Sequence, residues 1–499
     1  MPAWAKPTRV KARQGAIRLS LRAVVQLFSD GLFRRKRFGA SSSFWVQLCG
    51  NRLSLAHKTN ICYLLRAYIH PGAPMRRHAQ LLRPTTGYFL LSALLLIGCG
   101  QDTSNLEQSR LACQLVPSVA GDGAGAGPEI EVEVVVEGVE IPWGLAWLPN
   151  GDMVFTERDK GQLRIVRNGQ LQTSAVAEVD IAQITWAEEF GDLGSEGGLL
   201  GVLLHPDFAE NRRFYMYWTA REPDDSLINR LGLFTMSEDF SSAELDRILI
   251  DNIPGGIHHA GGRMRIGPDR KLYLGVGAYE APLAQVPDDV SGKMLRMNLD
   301  GSIPDDNPTA GSYVFLTGIR NTQGFDWFDA HHLLVMEHGP TFNDDGGPTE
   351  KGWDEFNVLK AGENSGWPEV HGCDTASGIT EPVVVWERSF PPGGATLYRG
   401  DAIPEWTGSF FTATQGLPWL PDEGQHLHRI QLSPDNPYLV EKREVFLKQR
   451  YGRLRTVAEG PDGYLYVTTT NCDTRGRLAW NPNHCRRNGD QILRIVGLK

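Results

Sequence analysis

Only seven of the 499 residues are cysteine, and none forms a Cys-x-x-Cys pair or stands at zinc-site spacing from histidine. Structural zinc modules and covalently attached haem are thereby excluded. Long helical periods are scarce. The one strongly apolar run, Tyr88 to Gly98, is too short to cross a bilayer comfortably. Acids are nearly missing from the first 74 positions, where Asp30 stands alone against 13 Lys and Arg. The whole chain carries −9, which leaves about −21 for the remainder. A body that acidic is not built to hold nucleic acid.

A second beginning follows the basic stretch. Met75-Arg76-Arg77-His78 leads into the apolar run, and Leu96-Ile97-Gly98-Cys99 resembles the bacterial lipoprotein box. Residues 1–74 therefore read as a misassigned upstream extension. Residues 75–98 read as a lipoprotein signal peptide, and Cys99 as a lipidated N-terminus that anchors the protein to a membrane. A basic nucleic-acid-binding arm and a plain secretory signal are the alternatives. Residues 99–128 are rich in Ser, Gly and Ala and are expected to be a flexible tether. The expected location is the periplasm or the outer membrane of a bacterium. Cys113, Cys373, Cys472 and Cys485 then remain, an even number suited to an oxidising compartment. Cys472 and Cys485 bracket a Gly- and Asn-rich loop and are the preferred pair, although three connectivities are open.

What the chain does have is a repeated phrase. It reads Pro149-Asn150-Gly151-Asp152-Met153-Val154-Phe155, then Pro268-Asp269-Arg270-Lys271-Leu272-Tyr273-Leu274, then Pro461-Asp462-Gly463-Tyr464-Leu465-Tyr466-Val467. Each copy is a tight turn feeding an apolar strand, with another short strand upstream. Repetition of this kind predicts an all-β chain, a six-bladed β-propeller with four-stranded antiparallel blades over residues 129–497. A β-sandwich is the alternative. The first strand, Glu129 to Glu137, and the last, Gln491 to Val496, both alternate. Pairing them in one blade would close the ring without an exposed edge.

Several loops carry residues suited to chemistry. His258-His259-Ala260-Gly261-Gly262 enters a strand, and a histidine there can act as a general base or simply bond loop carbonyls. Arg320-Asn321-Thr322-Gln323 offers a cation and two amides. Arg453 and Arg455 lie two apart on a strand and share a face. Two like charges so placed call for a shared anion, or for acids from elsewhere. Glu337-His338-Gly339-Pro340, followed by Asn343-Asp344-Asp345, is oxygen-rich and suits Ca2+. It lacks EF-hand spacing, and a solvated acidic turn is the plainer reading.

Taken in order, these stretches resemble the glucose/sorbosone dehydrogenase family, six-bladed propellers that use pyrroloquinoline quinone (PQQ) with Ca2+. The likeness runs from about Ile141 to Val496. Pro142-Trp143-Gly144, Gly197 to Gly201, His205 to Phe208, His259 to Asp269, Gly292 to Arg296, Arg320-Asn321, Gly339-Pro340, Gly366-Trp367-Pro368 and Gly452 to Arg455 carry it. The resemblance implies that His259 is the base removing the C1 hydroxyl proton of the sugar as hydride passes to the quinone. It implies that Arg320 and Asn321 hold the quinone oxygen side, that Arg453 and Arg455 bind and cover PQQ, and that the Gly339 and Pro340 carbonyls bind Ca2+. Arg320 and the metal would stabilise developing charge.

Three departures stand out. Glu196 occupies a cofactor-site position where the family has Gln, and His258 precedes the base where many members have Asp. No Lys is visible where one should reach a PQQ carboxylate; Thr412 to Gly416 fills that region. The expected function is C1 oxidation of an aldose-type sugar to the lactone. Without a haem motif, electrons would leave to an external cytochrome or quinone. A cofactor-free, carbohydrate- or ligand-binding propeller and a Ca2+-dependent lactonase are the alternatives.

A chain begun at Met75 should be processed and membrane-associated. Cys99→Ser then loses metabolic lipid labelling, whereas retention of Cys99 inside the mature chain would overturn the assignment.

Overall fold

Each copy of the repeated phrase closes the innermost hairpin of a sheet. Pro142–Trp147 pairs with Met153–Glu157, Arg263–Ile266 with Leu272–Val276, and Leu454–Glu459 with Leu465–Thr469. The turns are sealed by backbone bonds from Gly151 to Leu148, Arg270 to Gly267 and Gly463 to Gly460, at 2.9, 2.9 and 3.0 Å. In two of them the turn aspartate also binds the strands that follow in the same blade. Tyr273 and Arg296 both bond Asp269 at 2.9 Å. Tyr466 bonds Asp462 at 2.9 Å and Arg494 meets it at 2.7 Å. The motif thus fixes a turn and also ties the second and third strands to it.

The structure is a computed structural model. It describes residues 110–119, 125–183, 195–340, 351–417, 420, 422–473 and 483–499, with two short strands at 46–50 and 61–65. Those two strands form an antiparallel pair within an N-terminal unit, Met1–Gln101. The rest of the expected leader, including Cys99, lies outside the described residues. Among the described residues no helix is long and apolar enough to cross a membrane.

Residues from Asp102 onward form six sheets arranged as blades. Their innermost strands are Pro142–Trp147, Leu199–Leu204, Arg263–Ile266, Thr322–Trp327, Pro392–Leu397 and Leu454–Glu459, blades 1 to 6 in order. Adjacent inner strands approach one another around a central channel. The ring closes as expected: Ile130–Val139 pairs antiparallel with Asp490–Leu498 as the outer strand of blade 6.

The blades are roughly four-stranded and antiparallel, as expected, with Gln114–Val116 added as a parallel fifth strand to blade 4 and Gly125–Ala126 as another to blade 5. One expectation needs correcting: the described parts of 99–128 are not a loose tether. Cys113 is bonded to Cys373, Arg110 pairs with Glu363 at 2.8 Å, and the Val119 N–H donates to Glu423 at 2.8 Å. A low-complexity segment is ordered here because two sheet edges offer it unpaired backbone groups. The preferred disulfide, Cys472–Cys485, is present.

The core is not one mass but six layers, one between each pair of neighbouring blades. Val154, Leu163 and Ile165 of blade 1 pack on Phe214, Met216 and Trp218 of blade 2. Phe356 and Trp386 of blade 4 meet Phe410 and Ile430 of blade 5. Val136 and Ile492 of blade 6 meet Met153 and Phe155 of blade 1. Burying each such side chain contributes about 1.5–3 kcal/mol.

Asp490 locks the closure. Its buried carboxylate accepts from Ile141 N–H at 3.0 Å, Cys472 N–H at 3.2 Å, Thr469 Oγ1 at 2.9 Å and Asn471 N–H. Asp490→Ala would leave several buried donors unpaired, each costing about 1–3 kcal/mol. Urea denaturation should show a loss of at least ~2 kcal/mol, and a smaller loss would mean that Asp490 is not the clasp.

Candidate active site

The loop that enters blade 3 holds a strained residue. His259 adopts φ 59°, a left-handed conformation that non-glycine residues avoid. Four bonds over-determine it. The His259 N–H donates to Glu196 Oε2 at 2.9 Å, and Gly261 N–H to Asn321 Oδ1 at 3.3 Å. Tyr217 donates to the Ala260 carbonyl at 2.9 Å, and His259 Nδ1 lies 2.8 Å from the Ala278 carbonyl. The backbone turn fits only because position 277 is glycine: a Cβ there would stand 2.0 Å from the His259 carbonyl oxygen.

The Ala278 contact sets the tautomer. A carbonyl only accepts, so Nδ1 carries the proton and the lone pair of the neutral ring sits on Nε2. Ala278 is itself fixed, its N–H donating to the Arg320 carbonyl at 2.7 Å. The rest of that loop is pinned by Lys293, fully buried, whose Nζ donates to the carbonyls of Leu283, Ala284 and Ser291 at 2.9, 2.8 and 3.0 Å. Burial pulls the Lys293 ammonium down to about 8. The Gly292-Lys293 motif is thus a strut beneath the loop that orients His259.

Beside this loop lies a cleft lined by Glu196, Asn321, Gln323, Gln415, Arg453 and Arg455 among others. Arg453 donates to Gln415 Oε1 at 2.9 Å and to the Gly416 carbonyl at 2.7 Å. Arg455 reaches Gln323 Oε1 at 3.4 Å. Asp473 stands between the two arginines, at 3.4 Å from Arg453 and 3.9 Å from Arg455. Arg455 is nevertheless drawn down to about 9, first by burial and then by Arg158 and Arg453, while Asp473 and Glu196 oppose. The space inside the cleft is about 20 Å3, room for a water, and the Gln415–Arg453 bond lies on its wall.

Arg320 stands one layer back. Its guanidinium donates to the His338 carbonyl at 3.1 Å and lies 5.5 Å from the Trp367 ring. The next turn is crowded with buried carboxylates. Asp354 accepts from His338 Nδ1 at 2.7 Å and from Gly339 N–H at 3.0 Å. Glu337 and Glu355 sit directly opposite each other on paired strands. Glu337 Oε2 is buried without a hydrogen-bond partner. Burial, and then the facing Glu355, push Glu337 up to about 8, and burial pushes Glu355 up to about 7. Among the described residues no group of three or more His, Cys, Asp or Glu is placed to hold a metal.

The fold therefore gathers Glu196, His259, Asn321, Arg453 and Arg455 at one end of the channel, from blades 2, 3, 4 and 6. Glu196 braces the His259 loop and lies 3.4 Å from Asn321 Nδ2. The missing-Lys region does face the cleft, through Gln415. His258 has its ring 6.3 Å from that of His259. Gly339 and Pro340 are buried in the adjoining turn; residues 341–350, including the acidic Asp344 and Asp345, lie outside the described residues. Sequence reasoning offered Gln323 as one of two amides, without a role, and missed Arg158 and Asp473. Gln323 shares a strand face with Asn321. Nothing local distinguishes Asp473 from the other acids of an acidic chain.

Comparison with known proteins gives a consistent result. A family model described as "Glucose / Sorbosone dehydrogenase" matches residues 139–480. Aldose sugar dehydrogenase YliI of Escherichia coli is 31% identical over 383 residues, covering 71% of this chain and 94% of that protein. Quinoprotein glucose dehydrogenase B of Acinetobacter calcoaceticus is 31% identical over 292 residues, 53% of this chain and 58% of that one. The structure of the PQQ-bound form of aldose sugar dehydrogenase from Streptomyces coelicolor superposes with a TM-score of 0.59 at 30% identity, covering 74% and 100% of the two chains.

The facing glutamates make a pH prediction. Both fold with carboxyl pKa values raised above the ordinary 4.5. Between about 4.5 and 8 the folded protein holds protons that the unfolded chain has released, so stability falls as pH rises through that window. Urea midpoints measured from pH 5 to 8 should fall, and Glu337→Gln should flatten the slope. An unchanged slope in the variant would show that the pair does not carry the effect.

Proposed function

The chain belongs to the glucose/sorbosone dehydrogenase family, and on that footing we propose that it oxidises an aldose-type sugar at C1 to the lactone, using PQQ and Ca2+. The observation that carries this reading is the His259–Ala278 bond, which holds Nδ1 protonated and puts the lone pair of the neutral ring on Nε2, in a loop that Glu196 links to a cleft lined by Arg453 and Arg455. Relatedness to PQQ sugar dehydrogenases supports it.

The residues present fit an anionic quinone. Arg453 and Arg455 would hold its carboxylates, and Asn321 and Gln323 its polar edge. PQQ, when bound, supplies the two-electron acceptor. His259 Nε2 takes the C1 hydroxyl proton, so only the neutral ring is active and turnover falls as that ring protonates at low pH. Glu196 keeps the His259 loop in its strained turn, and Arg320 presents positive charge to the quinone side. The Gly339 and Pro340 carbonyls would hold Ca2+, and a bound cation would favour the ionised form of the nearby buried Glu337, whose Oε2 has no hydrogen-bond partner. The two disulfides fit an extracytoplasmic location. Anchoring through Cys99 and release of electrons to an external cytochrome or quinone complete the proposal.

One observation favours a second reading, a binding propeller without cofactor: Asp473 already answers both arginines, and Gln415 stands where a cation is wanted.

Calorimetric titration of PQQ with Ca2+ separates the two. The parent should bind saturably, Arg453→Ala/Arg455→Ala at least ~10-fold more weakly, and Gln415→Lys more tightly. His259→Ala should keep PQQ binding and lose ~10²–10⁴-fold in sugar-dependent dye reduction. No saturable binding by the folded parent would remove the dehydrogenase reading in favour of the binding propeller.

A further inference from the structure

Below the cleft, one arginine lies across the axis of the ring. Arg263 starts on the inner strand of blade 3. Its Nε donates to the Gln323 carbonyl of blade 4 at 2.8 Å, and its Nη2 to Thr456 Oγ1 of blade 6 at 3.2 Å. The guanidinium covers the Trp143 ring of blade 1 at 4.0 Å. On blade 5 it comes so near the backbone that a Cβ at Gly394 would stand 3.0 Å from Nη2. Thr456 in turn donates to the Trp143 carbonyl at 2.6 Å. A single side chain thus touches four blades besides its own.

Arg263 is only 9% exposed, and no carboxylate among the described residues comes within ion-pair distance of it. Its neighbours in charge are cations. Arg455 lies above and Arg265 below, and after burial itself these two draw the Arg263 group down to about 9. Arg265 is answered by Asp326 at 3.3 Å, and Arg455 has Asp473. Arg263 has neutral acceptors for two of its five N–H groups, and Nη1 bonds nothing among the described residues. An arginine stays charged at neutral pH, and a buried cation without a counter-charge is costly.

The same guanidinium lines a cavity of about 110 Å3 in the channel, walled by Leu145, Val202, Met264, Ala395 and Thr456. A water takes roughly 10–15 Å3 of such space, so there is room for an ion with several waters. We propose that the channel below the cleft binds a small monovalent anion of the chloride class, held by Arg263 and solvated by water. The ion completes the charge balance of the axis and couples the blades that Arg263 touches. It lies outside the quinone cleft and does not depend on that assignment.

Bromide supplies the direct test. Crystals of PQQ-free protein soaked in bromide should show an anomalous peak in the channel beside Arg263. In solution, chloride exchanged for gluconate at constant ionic strength should raise the melting midpoint saturably, by roughly 2 °C or more. Gluconate is too large for the cavity. Arg263→Lys keeps a cation and should keep the chloride effect; Arg263→Met should lose it. If Arg263→Met fails to fold, the bromide peak in the parent still decides. No peak, or a chloride effect of equal size in Arg263→Met, would overturn the site.

Discussion

Everything in this molecule rests on one strand pairing. Six wedge-shaped sheets pack face to face, and each layer of apolar side chains is shared by two blades. Such a ring has no independent core to fall back on. Ile130–Val139, drawn from the start of the propeller, must pair with Asp490–Leu498 at its end for the sixth layer to exist. Asp490 couples that closure to function, because the carboxylate that fixes Ile141 at the entry to blade 1 also fixes Asn471 and Cys472. The next residue is Asp473, the acid between Arg453 and Arg455. Closing the ring and setting the charge in the cleft are therefore one event.

The electrostatics follow a single theme. An acidic protein concentrates its buried cations on the axis and rations the acids that reach them. Arg455 shares Asp473, Arg265 has Asp326, and Arg263 has neither. Burial makes each of these charges expensive, and Arg263 alone of the three has no carboxylate within ion-pair distance among the described residues. The opposite holds one turn away, where Glu337 and Glu355 face each other and are held partly protonated by burial. Buried cations and buried carboxyls thus lie close together, at one end of the ring.

Much of the candidate site was legible because its signals are local. Arg453 and Arg455 share a face through strand alternation alone. His259 stands before paired glycines, which announce a tight entry to a strand. Lys293 and Gly292 form a recognisable pair, although only the packed loop shows that the ammonium caps three carbonyls. Asp473 and Arg158 left no such mark. Their partners lie in other blades, and sequence distance carries no information about which acid a ring will bring to which arginine. The N-terminal arm misled for a related reason. Its Gly- and Ser-rich composition reads as loose, yet the open edges of blades 4 and 5 and the Cys113–Cys373 bond hold the described parts in place.

The amino-acid sequence by itself determined the blade unit, the closure and the family. Turn chemistry and the two-residue alternation of strands act over a few positions and repeat, so they survive in a linear reading. Tertiary structure alone decided the balance of charge. That balance depends on distances between groups on different blades and on the water each has lost, and both exist only once the ring has closed.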